Sequence, residues 1–189
     1  EWNSTLGTAL GFPFIVEQKK KDLLNQSMLF DKIVVLTRWY QQILEANGVD
    51  AGRIFYCAQG LTGDSISPVQ RQTSLPIRIV FIGRVSKYKG VHLMLQALKQ
   101  LPAEKICLDI YGPVTEDAYA KECLALAKGM ANVQWKGTIA PDEVIPMLSQ
   151  YDVLCLPSTF SEMSPLVIQE AFAAGIPVLA SNVYGNEEQ

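Results

Sequence analysis

The sequence is poor in the residues that most often announce a chemistry. It has one histidine, His92, and four cysteines, Cys57, Cys107, Cys123 and Cys155, set far apart with no C-x-x-C pair. That spacing supplies neither a zinc site nor a disulfide framework. Three of the cysteines fall in segments expected to be buried strands, where they act as small hydrophobes of a reducing compartment. No apolar run approaches the roughly eighteen residues needed to cross a bilayer, and no charged-then-apolar leader opens the chain. There is no basic stripe either. The net charge is −3, and Lys19-Lys20-Lys21 is the single local basic cluster, expected to be a solvated helix face. Without such a stripe, nucleic acid is not expected as a partner. The phosphate-binding signatures G-x-x-x-x-G-K-[ST] and G-x-G-x-x-G are both absent.

What is present is a globular composition, 49% apolar and 19% charged, enough to bury a substantial core. Residues 1–18 show no clear periodicity. Residues 19–30 are expected to form a helix, followed by a strand at IVVL (33–36). Thr37 is placed to cap a helix that ends at Asn47-Gly48, with Gly48 as its left-handed terminator. IFYC (54–57) follows as a strand. The polar stretch 61–76 is expected to be a linker, between the end of one lobe (1–60) and a second lobe (77–189).

From Ile77 the pattern becomes regular. Strands are expected at 77–83, 105–112, 133–137, 152–158 and 176–181. Helices are expected at 91–101, at 116–128 with Ala120, Cys123, Leu124 and Ala127 on one face, after Pro141 as a short helix interrupted early by Pro146 and so short or kinked there, and at 165–174. Strand and helix alternate, the strands are largely apolar along their length and the connections are short. Such runs belong to a parallel sheet covered on both faces, a doubly wound, Rossmann-like α/β lobe. Ligands of this architecture bind outside the carboxyl ends of the strands, so the residues just after each strand become the candidates.

Four such places stand out. Gly83-Arg84 ends one strand and Lys89-Gly90 opens the next helix. A guanidinium fork and an ammonium there can neutralise a diphosphate, although strand ends also carry solvated Arg and Lys. Glu162 and Glu170 form an E-x7-E pair, with Ser164 expected as N-cap and Pro165 as the first helical residue. The unpaired amides of Leu166 and Val167 would then make an anion site flanked by carboxylates able to accept from sugar or ribose hydroxyls. The ordinary alternative is a loop Glu and a surface helix Glu. Gly137-Thr138-Ile139 leaves a strand with backbone free to meet a flat base, and Tyr111-Gly112-Pro113 is a tight turn after another. Either is equally compatible with an ordinary connection. His92 lies on the polar side of its helix and is expected to be exposed, with no catalytic role.

Together, FIGRVSKYKG, VQWKG and DVLCLPSTFSEMSPLVIQEAFAAGIPVLAS resemble the C-terminal lobe of the retaining GT-B glycosyltransferases of family 4, over about 77–187. DKIVVLTRWYQQILEANGVDAGRIFYCAQG resembles the end of that family's N-terminal lobe. The resemblance implies a hexosyl- or glycosyltransferase that moves a sugar from a nucleotide-diphosphate donor to an acceptor hydroxyl with retention. It implies that Arg84 and Lys89 bind the diphosphate and that Glu170 holds the ribose. Glu162 would hold hydroxyls of the transferred sugar, the backbone of Ser164, Leu166 and Val167 sugar and phosphate oxygens, and Gly137, Thr138 and Ile139 the base. One departure is Met163-Ser164-Pro165, where the family often has a Gly-Phe-Gly type sequence; Pro165 has no N–H to offer.

The resemblance further implies no metal or other cofactor, consistent with the lack of a D-x-D. The acceptor is left open among glycan, lipid and small molecule. The location implied is cytoplasmic, with room for peripheral membrane contact through an absent first lobe. The second lobe is expected to be incomplete at its C-terminus, and the fragment inactive alone. The rival readings are a nucleotide-sugar epimerase of the same architecture and a non-catalytic nucleotide-binding module.

Overall fold

The computed structural model describes the backbone of residues 5–61, 74–115 and 117–189, and side chains of these residues from 11 onward. The chain divides into two compact units, Glu1–Ala58 and Gln59–Gln189. Most of the expected linker, residues 62–73, lies outside the described residues.

In the first unit, helix α1 (Thr5–Ser27) precedes β1 (Ile33–Val35), α2 (Arg38–Ala46) and β2 (Ile54–Tyr56). The two strands pair in parallel, Val34 opposite Phe55. Thr37 caps α2, its hydroxyl oxygen accepting from the Tyr40 amide at 3.2 Å, and Gly48 ends the helix at φ +93. Val35, Leu44 and Val49 are buried with Leu23 and Leu24 packed against them. Two expectations change here. The helix begins at Thr5 and not near residue 19, and it carries Pro13 within it. Apolar residues occur all round α1, and Phe12, Phe14, Ile15 and Val16 are exposed, so no amphipathic stripe marks it. Cys57 lies just past β2 and is exposed rather than buried.

The second unit alternates β3 (Ile77–Ile82), α3 (Val91–Leu98), β4 (Ile106–Tyr111), α4 (Ala118–Ala127), β5 (Val133–Gly137), α5 (Val144–Leu148), β6 (Val153–Leu156), α6 (Leu166–Ala173) and β7 (Val178–Ala180). Its five strands are all parallel, in the order β5-β4-β3-β6-β7. Val80 and Phe81 are consecutive in β3 and both have 0% exposure, which requires cover on both faces of the sheet. Leu95 and Leu98 of α3, Leu148 of α5, and Ile168 and Ala171 of α6 join that core. Each large side chain so buried stabilises the fold by about 1.5–3 kcal/mol.

Three local expectations in this unit are corrected. Leu124 is 45% exposed, so the buried stripe of α4 is Ala120 and Cys123 with Ala127 at its margin. His92 is half-buried: its Nδ1 lies 2.8 Å from the Tyr119 hydroxyl, which also accepts from the His92 amide at 3.2 Å. Pro165, and not Ser164, occupies the N-cap position of α6, and no side chain caps that helix. The helix expected to be short is so: a 3-10 turn, Pro141–Glu143, leads into the five-residue α5, and Pro146 falls within its first turn, where the missing N–H costs no helical bond. The buried Cys155 thiol is pushed up to about 11 by desolvation, keeping it a neutral core group.

The chain steps outward from β3 to β4 to β5, then returns to the other side of β3 to lay down β6 and β7. Strand order therefore reverses between β3 and β6, and the crevice at their carboxyl ends is the switch point.

Candidate functional site

Two loops meet at that crevice. The one leaving β3 runs from Gly83 through a 3-10 turn, Lys87–Lys89, to Gly90 at φ +68. The one leaving β6 runs through Pro157, Ser158 and Thr159 to Glu162. A Cβ on Gly90 would sit 2.0 Å from the Pro157 carbonyl oxygen, so only glycine lets the two backbones approach this closely. The Thr159 amide donates to the Tyr88 carbonyl at 2.8 Å. The Tyr88 and Phe160 rings lie 5.6 Å apart, centroid to centroid.

This joint carries the central contact. Lys89 Nζ lies 2.7 Å from Glu162 Oε1, although the residues are 73 positions apart in the chain. The buried Ser158 hydroxyl donates to the same oxygen at 2.6 Å. The backbone of Glu162 is held as well: its amide donates to the Tyr184 carbonyl at 2.8 Å, and Gly185 packs against its carbonyl. A carboxylate that accepts an ammonium and a hydroxyl on one oxygen is fixed in orientation.

Arg84 stands on the same rim, directly after β3. It is exposed and makes no hydrogen bond or ion pair among the described residues. Next to it three glycines close the strand ends. The Gly83 amide donates to the Tyr111 carbonyl, the Gly112 amide to the Gly137 carbonyl at 2.7 Å, and a Cβ on Gly112 would lie 1.9 Å from the Gly83 oxygen. Gly137 has φ +74 and open space where a Cβ would stand. Thr138 and Ile139 follow and line a hollow of about 450 Å³ with Tyr111, Asp142, Glu143 and Met147. A second hollow, of about 440 Å³, lies between the loops after β6 and β7, with Thr159, Phe160, Ser161, Asn182 and Glu187 among its walls.

Beyond Glu162, Ser164 adopts φ +137, a conformation that favours glycine, and its hydroxyl oxygen accepts from Gln189 Nε2 at 3.2 Å. The amides of Leu166 and Val167 open α6 without an acceptor among the described residues. Glu170 is the fifth residue of α6, about 6 Å along the axis from its start. It is half-buried with no partner among the described residues, and desolvation raises its pKa. The structure thus brings Lys89 and Glu162 into contact. Arg84, Gly137–Ile139 and the start of α6 stand on the same rim of the sheet.

Sequence reasoning missed Ser158. Its signal is slight, a serine four residues before Glu162 in PSTFSE. It also missed a side-chain network beside the 450 Å³ hollow. Tyr151 donates to Asp109 Oδ2 at 2.6 Å, Tyr111 and Tyr151 hydroxyls are 3.2 Å apart, and Lys136 pairs with Asp109 at 3.3 Å. Burial raises the Tyr151 phenol, so it stays a neutral donor. Asp109, Tyr111 and Tyr151 lie up to 42 positions apart, and no spacing rule links them.

A family model described as glycosyl transferases group 1 matches residues 65–189. Over 182 residues the chain is 26% identical to the amylovoran biosynthesis glycosyltransferase AmsK of Erwinia amylovora, covering 92% of this chain and 45% of that protein. The sulfoquinovosyl transferase of Arabidopsis thaliana is 27% identical over 155 residues, 77% of this chain and 29% of its own length. Among solved structures, Anabaena HepE in complex with UDP and glucose superposes with a TM-score of 0.75 at 20% identity, over 90% of this chain and 50% of that one. The pneumococcal O-GlcNAc transferase GtfA, in complex with UDP and GlcNAc, superposes with a TM-score of 0.69 at 26% identity, over 88% and 33%. The chain therefore spans half or less of the length of these relatives.

Proposed function

The chain belongs to the group 1 glycosyl transferases, and from that premise we propose that it binds a nucleotide-diphosphate sugar at the β3–β6 crevice for transfer to an acceptor hydroxyl. The observation that carries this reading is the 2.7 Å contact of Lys89 with Glu162 at the switch point, where a cation for phosphate and an acceptor for sugar hydroxyls stand together. Uridine diphosphate is the first nucleotide to consider, because HepE and GtfA are both solved with UDP.

Arg84 and Lys89 neutralise the diphosphate as the bond between anomeric carbon and phosphate oxygen breaks. The amides at the start of α6 add partial positive charge to the same group. Stabilising charge as it develops is the largest share of such catalysis. Glu162 accepts from hydroxyls of the transferred sugar, Glu170 from the ribose, and the base lies against the backbone of Gly137, Thr138 and Ile139. The acceptor hydroxyl attacks from the face the diphosphate leaves and gives its proton to the departing phosphate oxygen, which retains the anomeric configuration. The acceptor is a glycan, a lipid or a small molecule. No metal ion is required in this scheme, since two side-chain cations serve the leaving group.

No helix among the described residues is long and apolar enough to cross a membrane. We place the reaction in the cytoplasm, where nucleotide sugars are available. Calorimetric titration with UDP, GDP, ADP and dTDP, each with and without EDTA, tests the reading. Binding of one diphosphate, unchanged by EDTA, is expected. Binding of none of the four would contradict it.

A further inference from the structure

Three groups, and not two, meet at the central contact. Ser158 is 3% exposed and donates to Glu162 Oε1 at 2.6 Å, the same oxygen that Lys89 approaches at 2.7 Å. Glu162 Oε2 has no partner among the described residues. The two donors therefore use one oxygen of the carboxylate and leave the other free. They also differ in kind. An ammonium on a long flexible stem is a point charge that tolerates rotation of its partner. A buried hydroxyl on a short side chain has no water to turn to and defines one direction. Ser158 is further fixed through its chain neighbours. Pro157 presses its carbonyl on Gly90, and the Thr159 amide is bonded to Tyr88.

We propose that Ser158 is a positioning residue for sugar recognition: it holds the Glu162 carboxylate so that Oε2 is presented to a hydroxyl of the transferred sugar. The inference rests on the donor-binding reading above and adds to it a division of labour. Lys89 serves two anions, Glu162 and the donor diphosphate, and when the diphosphate draws on it the serine alone keeps Glu162 oriented. Loss of the hydroxyl therefore affects the sugar and spares the nucleotide. A purely structural serine would affect both alike.

The test compares the dissociation constants of wild type, Ser158→Ala and Ser158→Thr for UDP and for UDP-glucose, UDP-galactose, UDP-N-acetylglucosamine and GDP-mannose, with GDP as the partner of the last. Thermal melts first establish that each variant is folded. Should the alanine variant not fold, Ser158→Cys replaces it, keeping the shape while weakening the donor. For the sugar nucleotide that wild type binds best, Ser158→Ala should raise the ratio of its dissociation constant to that of the parent diphosphate about tenfold, the scale of a hydrogen bond to a charged group. Ser158→Thr should restore the wild-type ratio. Equal loss for diphosphate and sugar nucleotide, or no rescue by threonine, overturns the proposal while leaving the donor reading standing. Failure of wild type to bind any of these nucleotides overturns the donor reading and this inference with it.

Discussion

The carboxyl rim of the second unit is built in two ways. On the side of β6 and β7 the loops are tied: Lys89 and Ser158 hold Glu162, Thr159 is bonded to Tyr88, and Glu162 to Tyr184. On the side of β4 and β5 the rim is glycine, with Gly83, Gly112 and Gly137 closing neighbouring strands and Arg84 and Thr138 exposed above them. The tied side aims side chains, as recognition of a sugar's hydroxyls demands. The glycine side leaves backbone and space, which suits a flat base and a diphosphate. One sheet thereby supplies direction on one flank and room on the other.

The contrast can be broken most severely at Gly112. A methyl there meets the Gly83 carbonyl at 1.9 Å, and φ is +142, so neither flank can shift cheaply. Gly112→Ala should cost about 3 kcal/mol or more, read as a fall in the denaturation midpoint. A loss below about 1 kcal/mol would mean that the rim is plastic.

Glu170 sharpens the comparison, since it sits behind the tied side with no tie of its own. Burial raises its folded-state pKa above the ordinary carboxylate value. The stability it contributes is therefore fully present below the unfolded pKa and lost as pH rises through the raised one. Glu170→Gln should remove that decline, leaving the variant more stable than wild type at neutral pH and equal to it in acid. If Glu170 holds the ribose as proposed, the same change should weaken nucleotide binding about tenfold through loss of a charged acceptor. Stability and binding moving in the same direction would contradict the assignment.

Smaller effects separate the glycines from one another. A Cβ on Gly137 meets nothing within 4 Å, so Gly137→Ala should cost only the left-handed backbone penalty, about 1–2 kcal/mol. Its larger consequence should be weaker nucleoside binding, visible by calorimetry with uridine. Ser164 presents the converse. It holds φ +137 without being glycine, and Ser164→Gly should raise stability by about 1 kcal/mol, net of the lost Gln189 contact, in a denaturant titration.

The alternation from β3 to β7 could be read from the sequence because each strand is a short, mostly apolar run separated from the next by a helical period, and Arg78, Asp109, Gln134 and Lys136 interrupt the runs without hiding them. The approach of Lys89 to Glu162 was also within reach, since topology alone brings the ends of β3 and β6 together. Other features carry no periodic or spacing signal. Helix α1 has apolar residues on every side, so its first half shows no stripe. The tie of His92 to Tyr119 joins α3 to α4, and facing helices leave no mark in either segment alone. Ser164 and Pro165 read as a standard helix start, yet the chain enters α6 through a glycine-like turn and leaves the helix uncapped.

The proposed donor site depends most on two cations of this rim serving a diphosphate, and one titration addresses that directly. Arg84→Ala and Lys89→Ala are compared with wild type for UDP and for uridine. We expect UDP affinity to fall about 10- to 100-fold in each variant, with uridine affinity unchanged, as befits lost charge-assisted contacts to phosphate. Equal losses for UDP and uridine, or no loss for UDP, would contradict the account.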